Sequence, residues 1–227
     1  MMIKNNSLTL VFFCAALLFT SVNAKASTTN ALIAPDVLLK SSTYKIIEAL
    51  KQAKKERKTK PEFIHSLVTE HIAPQLDFIA ASRWVLGKYW ADIDRSQKIR
   101  FIKSFRKLLI QFYSVALAEY VSSNNIDHDI IQFKALRKET EKDKDTTVYS
   151  IVSPPNTNKK VSVNYHMHQT RKGWKIYDVS VEGISMIGTY KSSFEPQLRN
   201  IGVEALIASL EERNNKLAIK KVNFKEQ

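Results

Sequence analysis

The sequence predicts an α+β fold: a curved antiparallel sheet of about four strands, packed against a predominantly helical N-terminal half and C-terminal helices, with an apolar pocket between. Three observations carry this. Apolar residues recur at three-and-four spacing up to Tyr120, at alternate positions between Thr146 and Val181, and at helical spacing again after Gly183. Short turn-rich stretches, "SPPNTNKK" and "TRKGW", separate consecutive strand segments, and short connections make neighbouring strands antiparallel. The length of 227 residues, 44% of them hydrophobic and with only 5 Gly and 6 Pro, suits one globular domain with a sizeable core.

A leader precedes that domain. "MMIKNNSLTLVFFCAALLFTSVNAKAS" has a basic head at Lys4, an apolar run from Leu8 to Phe19, and small or polar residues up to Val22-Asn23-Ala24. This is the pattern of a secretory signal peptide over 1–24, cleaved after Ala24 or after Ala26. The apolar run is about twelve residues, short of the roughly 20 that a membrane-spanning helix needs. Cys14, the only cysteine, lies inside the run. The mature chain therefore has no disulfide, thiol nucleophile or thiolate metal site to offer. Losing the leader removes one cation and no anion, which takes the formal charge from +13 to +12. An exported protein does not meet the genome. The charge therefore points away from nucleic acid and toward anionic lipid, acidic faces of other exported proteins, or a merely solvated basic surface.

The mature domain is expected over 25–214, followed by a basic tail over 215–227. Pro35 suits a first helical turn, and Leu38, Leu39, Ile46, Ile47 and Leu50 continue a helix expected over 35–58. A second, shorter helix is expected over 61–71, with Phe63, Ile64, Leu67 and Val68 on one side. "LDFIAASRWVLGKYW" reads as a helix opening at Asp77, whose carboxylate can accept the free amides of the first turn. The strongest stripe follows: Phe101, Ile102, Phe105, Leu108, Leu109, Phe112, Tyr113, Ala116, Leu117 and Tyr120, with Asp94 and Gln97 as a capping pair at its start.

After "SSNNIDHD" the period changes. From Val161 to His168, Val161, Val163, Tyr165 and Met167 face one way, while Ser162, Asn164, His166 and His168 face the other. "TTVYSIV" and "WKIYDVSV" are further strands, "IIQFKAL" is a weaker one, and "RKETEKDKD" reads as an exposed hairpin tip or loop. Ile184, Ile187, Tyr190 and Phe194 then mark a helix before Pro196, and "GVEALIASLEER" a last amphipathic helix.

Motifs for bond chemistry are missing. No glycine-rich phosphate loop, G-x-S-x-G elbow or H-E-x-x-H occurs. His166 and His168 share a strand face but lack a recognisable third and fourth ligand, so they read as surface histidines. Asp178 and Glu182 read as structural. No catalytic residue, metal or cofactor is expected.

"LDFIAASRWVLGKYW", "FIKSFRKLLIQFYSVALAEY", "GWKIYDVSVEGISMIGTYKSSF" and "GVEALIASLEER" together resemble, in order and spacing, the MlaC family of periplasmic phospholipid-binding proteins, also known as toluene-tolerance auxiliary proteins. The resemblance runs from about Pro35 to Arg213. Leu86-Gly87-Lys88-Tyr89-Trp90 and Trp174 through Ser185 carry its most specific motifs, while Gln75 and Pro196 depart from the pattern.

The resemblance implies a non-enzymatic, cofactor-free periplasmic shuttle for a glycerophospholipid. Its partners would be an outer-membrane lipoprotein–porin complex and an inner-membrane ABC transporter with an MCE-domain subunit, with no role for nucleic acid. The lining expected for the lipid is Tyr89, Trp90, Phe105, Leu109, Phe112, Tyr113, Val161, Val163, Tyr165, Met167, Tyr177, Val179, Val181, Ile184 and Ile187. Within "RWVLGKYW", Val85 and Leu86 are expected in the core and Gly87 at a close helix contact. Tyr89 and Trp90 are expected near the pocket wall, with Arg83 and Lys88 near the surface, where a phosphate or an acidic partner could be met. Two other classes fit the same residues: an exported interaction protein with a filled core and a basic docking face, and a small cone-shaped α+β enzyme.

Overall fold

Prolines and aspartates decide where the helices begin. The computed structural model describes residues 33–136, 144–155 and 157–223, with side chains up to 216. The expected signal peptide therefore lies outside the described residues, as do 137–143 of the expected charged loop. Helix α1 (Pro35–Lys55) and helix α2 (Pro61–Leu67) each start on a proline whose missing N–H would have gone unpaired anyway. α2 runs on through a π-helical turn, Val68–Ile72, and a 3-10 turn, Ala73–Gln75. Helix α3 (Phe78–Leu86) is capped by Asp77, whose Oδ1 accepts from the amides of Ile79 and Ala80 at 3.0 and 2.9 Å.

α3 ends at Gly87, where φ is +54°, a region open to glycine without strain. The glycine thus serves a chain reversal, and a Cβ there would also lie 3.3 Å from Cε of Lys191. Helix α4 (Tyr89–Asp92) is a single turn. Helix α5 (Arg95–Ser123) opens on the expected capping box: Gln97 N–H donates to Asp94 Oδ1 at 2.8 Å and Asp94 N–H to Gln97 Oε1 at 3.2 Å.

The sheet is a meander of five strands, β1 (Ile131–Phe133), β2 (Asp145–Val152), β3 (Val161–Thr170), β4 (Gly173–Val181) and β5 (Ile184–Ser185), in that spatial order and antiparallel throughout. "IIQFKAL" yields only the three residues of β1, and the fifth strand is the two-residue return after Gly183. The last helix, α6 (Met186–Asn223), passes through Pro196 and breaks instead at Gly202, whose φ of +80° and ψ of 174° leave the helical region. Proline locks φ near the helical value and loses only one hydrogen bond. The backbone of 215–223 continues this helix, into the stretch expected as a tail.

Three apolar clusters hold the layers together. Val85, Leu86, Phe101, Phe105, Phe194, Leu206 and Ile207 join α3, α5 and α6. Ile46, Leu50, Ile64, Val68, Ile110 and Val121 join α1, α2 and α5. Leu39 of α1 meets Val148, Met167, Trp174 and Ile176 on one sheet face. All described residues fall in one compact unit.

Arg100 of α5 ties the far arm of α6 down. Its guanidinium donates from Nε and Nη2 to the two oxygens of Glu211, at 3.1 and 2.8 Å, and from Nη1 to Glu204. These bonds hold both carboxyls below the usual carboxylate range. A depressed folded-state value stabilises the fold above the ordinary carboxylate pKa of about 4.3, and that contribution is lost as pH falls through the folded value. All three groups are partly solvated, so the effect is small. Arg100→Gln is therefore expected to lower the thermal midpoint at neutral pH. The gap from wild type should close in melts taken at about pH 3.

Candidate functional site

β4 is a free edge for most of its length, and this is where the fold leaves space. Its last residues pair with β5 (Ser180↔Ser185, Val181↔Ile184), but before them, among the described residues, only Leu76 bridges to Ile176. A β-bulge lies between: His166 faces Asp178 and Met167 faces Ile176, so Tyr177 has no partner on β3. A bulge bends its strand and redirects the extra side chain. The edge carrying Ile176, Tyr177, Asp178 and Val179 forms one wall of a cavity of about 450 Å³, within the range of roughly 300–1,000 Å³ of small-ligand sites.

Helices supply the other walls. α5 contributes Phe105, Leu109, Ile110, Tyr113, Ala116 and Leu117; the turns before α3 and its first residues contribute Val68, Ile72, Ala73, Leu76, Asp77, Phe78 and Ala81; the start of α6 contributes Met186, Ile187 and Tyr190. Phe105 closes one side by meeting Tyr190 edge-on, with centroids 5.2 Å apart, and by packing on Phe101 and Phe194.

The two carboxylates on the wall are already committed. Asp77 caps α3 with one oxygen and accepts from His168 Nε2 at 2.9 Å with the other. Asp178 accepts from the amides of Val179 and Ile187 at 2.8 and 3.0 Å and from Ser185 Oγ at 2.6 Å, which fixes the start of α6 to β4. The phenols of Tyr113 and Tyr177 stay neutral at physiological pH. Burial, with Tyr190 beside it, pushes Tyr113 above the usual range, and burial with Asp145 and Asp178 nearby does the same for Tyr177. The wall thus offers hydrocarbon and aromatic surface, with no carboxylate free to move a proton. Among the described residues no three His, Cys, Asp or Glu side chains converge as a metal site would require.

Of the residues expected at the lining, the structure brings six to this cavity: Phe105, Leu109, Tyr113, Tyr177, Val179 and Ile187. The other nine lie off its wall. Tyr89 and Trp90 pack against the α3–α5–α6 cluster, with Tyr89 Oη donating to Glu195 at 3.2 Å. Phe112, one residue off the wall-facing arc of α5, is 53% exposed. Val161, Val163, Tyr165 and Met167 sit on β3, behind β4, where Met167 is buried beneath α1 and Tyr165 packs beside it. Val181 and Ile184 belong to the β4–β5 turn, with Ile184 68% exposed.

The β3 residues miss the wall because β4 stands between them and the chamber, whereas the bulge changes the face of Tyr177. Strict alternation puts Tyr177 with Val179, but the extra residue places Ile176 in that row instead. Tyr177 turns its ring toward His168, at 5.4 Å between centroids, on the opposite face. His166 and His168 are correspondingly engaged rather than free on a solvated face. His166 lies 3.2 Å from Thr147 Oγ1 and 3.0 Å from Ser180 Oγ, and His168 reaches Asp77. The expected lining lacks the whole contribution from Val68 to Ala81, together with Ile110, Met186 and Tyr190; for Leu76 and Phe78 the position on either side of the Asp77 cap is the available signal.

Fold and cavity define the class: an α+β protein whose helices enclose an apolar chamber at the free edge of an antiparallel meander. Residues 40–212 match the family model described as MlaC protein, and the chain belongs to that family. It is similar to the intermembrane phospholipid transport system binding protein MlaC of Haemophilus influenzae, 23% identical over 187 residues, covering 82% of this chain and 84% of that protein. It is also similar to toluene tolerance protein ttg2D of Pseudomonas putida, 25% identical over 175 residues and 77% of each. A phospholipid-binding protein from Ralstonia solanacearum, solved in complex with a phospholipid, matches with a TM-score of 0.68 at 27% identity, over 81% of this chain and 98% of that one.

Asp178→Ala removes three accepted hydrogen bonds at a half-buried position. It is expected to destabilise the fold by about 1–3 kcal/mol in urea titrations, with Asp178→Asn milder because its amide oxygen still accepts.

Proposed function

We propose that this chain is a soluble periplasmic phospholipid carrier, and that the chamber beside β4 takes up acyl chain. One observation carries the reading: a cavity of about 450 Å³ with an almost wholly apolar wall, to which all three apolar clusters contribute residues. At roughly 30 Å³ for a group of water size, that is room for about fifteen such groups, the scale of one long acyl chain. Exposing a chain of roughly 14 methylenes to water costs about 11 kcal/mol at about 0.8 kcal/mol each. Headgroup hydrogen bonds at about 1–3 kcal/mol apiece do not offset that, so a carrier must supply hydrocarbon surface. The wall contributed by α5, α3, β4 and α6 is such a surface. Membership of the MlaC family and the likeness to a structure holding a phospholipid support the same reading.

The chain acts without bond chemistry and without a cofactor. An enzyme in this chamber would need an acid or base free to transfer a proton, and Asp77 and Asp178 are bound up in helix starts. Residues 1–24 direct export and are removed. The domain over 25–214 moves lipid between an outer-membrane lipoprotein–porin complex and an inner-membrane ABC transporter bearing an MCE-domain subunit. Its basic surface assists docking.

Organic extraction of the purified protein followed by mass spectrometry is expected to yield phospholipid at near one per chain. An empty extract favours the interaction-protein alternative. Ala116→Trp, which pushes an indole into the chamber from an exposed position, is expected to lower lipid occupancy severalfold while the thermal midpoint of lipid-free protein changes little. Affinity for the inner-membrane partner, measured by surface plasmon resonance, should weaken as salt is raised, and a salt-independent affinity counts against basic docking.

A further inference from the structure

We propose that Arg106 binds the phosphate of the lipid at the rim of the chamber, an assignment that rests on the carrier reading above. Helical residues turn by about 100° each, so the wall positions 105, 109, 110, 113, 116 and 117 of α5 span an arc of about 140°. Arg106 falls inside that arc, one turn ahead of Leu109 and Ile110. It is exposed, and along the stretch of α5 that faces the chamber it is the one charged side chain in the arc.

Its surroundings leave it ready for an anion. The guanidinium carbon lies 5.3 Å from the centre of the Phe78 ring, and Phe78 is itself part of the wall. A guanidinium held over a ring face is positioned by the ring and keeps N–H donors for a further partner, and its fork matches a phosphate. Arg106 takes part in none of the ion pairs formed among the described residues. Asp77, beside Phe78, has its oxygens turned to the α3 amides and His168.

The cations that the sequence placed nearest a phosphate lie elsewhere. Lys88 is 3.4 Å from Glu195, and neither it nor Arg83 borders the chamber. With the phosphate at Arg106, hydrocarbon runs along about 18 Å of α5 from Phe105 to Leu117.

The test compares phosphatidylglycerol with diacylglycerol of the same acyl chains on delipidated full-length mature protein. Wild type is expected to bind phosphatidylglycerol about tenfold more tightly, the scale of one charge-assisted contact at a solvated rim. Arg106→Gln should abolish that preference and leave diacylglycerol affinity unchanged. Lys107→Gln, which removes the same charge a further 100° round the helix, should leave both affinities as they were. Retention of the preference in Arg106→Gln overturns the assignment, and so does an equal loss for both lipids, which would make Arg106 a packing partner of Phe78. Titration with inorganic phosphate alone is expected to give no binding below millimolar concentration; tight binding abolished by Arg106→Gln would assign the site to free phosphate instead. Wild type that takes up neither lipid removes the carrier reading itself.

Discussion

Asp77 joins three parts of the molecule with one side chain and one amide. Its N–H donates to the carbonyl of Ile176 at 2.8 Å, one carboxylate oxygen caps α3, and the other receives His168 from β3. These contacts hold the start of α3 against the β4 edge, and Lys175 Nζ adds a donation to the Pro74 carbonyl at 2.6 Å. Asp178 makes the second attachment by gripping the start of α6. The chamber lies between the two attachments, bounded by β4 on one side and by α5, the approach to α3 and the start of α6 on the others.

This explains why the carboxylates on an otherwise apolar wall are no liability. A buried carboxylate without partners is expensive in hydrocarbon surroundings, but each of these two has its lone pairs taken by amides, a hydroxyl or an imidazole. With the phenols of Tyr113 and Tyr177 neutral, the chamber presents little that would resist a hydrocarbon guest. An apolar void also forfeits the dispersion contacts its lining would otherwise make, so a guest that fills it restores them and stabilises the folded chain by mass action.

Two apolar clusters flank the chamber and share residues with its wall. Phe101 and Phe105 are fully buried between α5 and α6, and Ile64 and Val121 between α2 and α5. α5 thus serves two ends: its buried rows carry the helical layer, and one arc along its middle faces open space. The aromatic stripe that stood out in the sequence was core at Phe101, wall at Leu109 and Tyr113, and solvent-facing at Phe112. Spacing alone assigns a side to a helix; it does not say what stands opposite.

Local chemistry was legible wherever a short stretch carries its own physics. The starts at Pro35 and Pro61, the caps at Asp77 and Asp94, and the alternation of β2 and β3 depend on neighbours within a few residues, and the family motifs were readable for the same reason. Most of the wall was not. The bulge at Tyr177 arises from the pairing of β3 with β4 and reverses the side on which later alternation places each residue. The reach of Asp77 to His168 spans 91 residues. The sequence by itself determined the elements, their order and a surplus of apolar surface. Only the tertiary structure decided where that surface is left unmatched, because a cavity is a property of gaps between elements, set by strand register and by contacts between residues far apart in the chain.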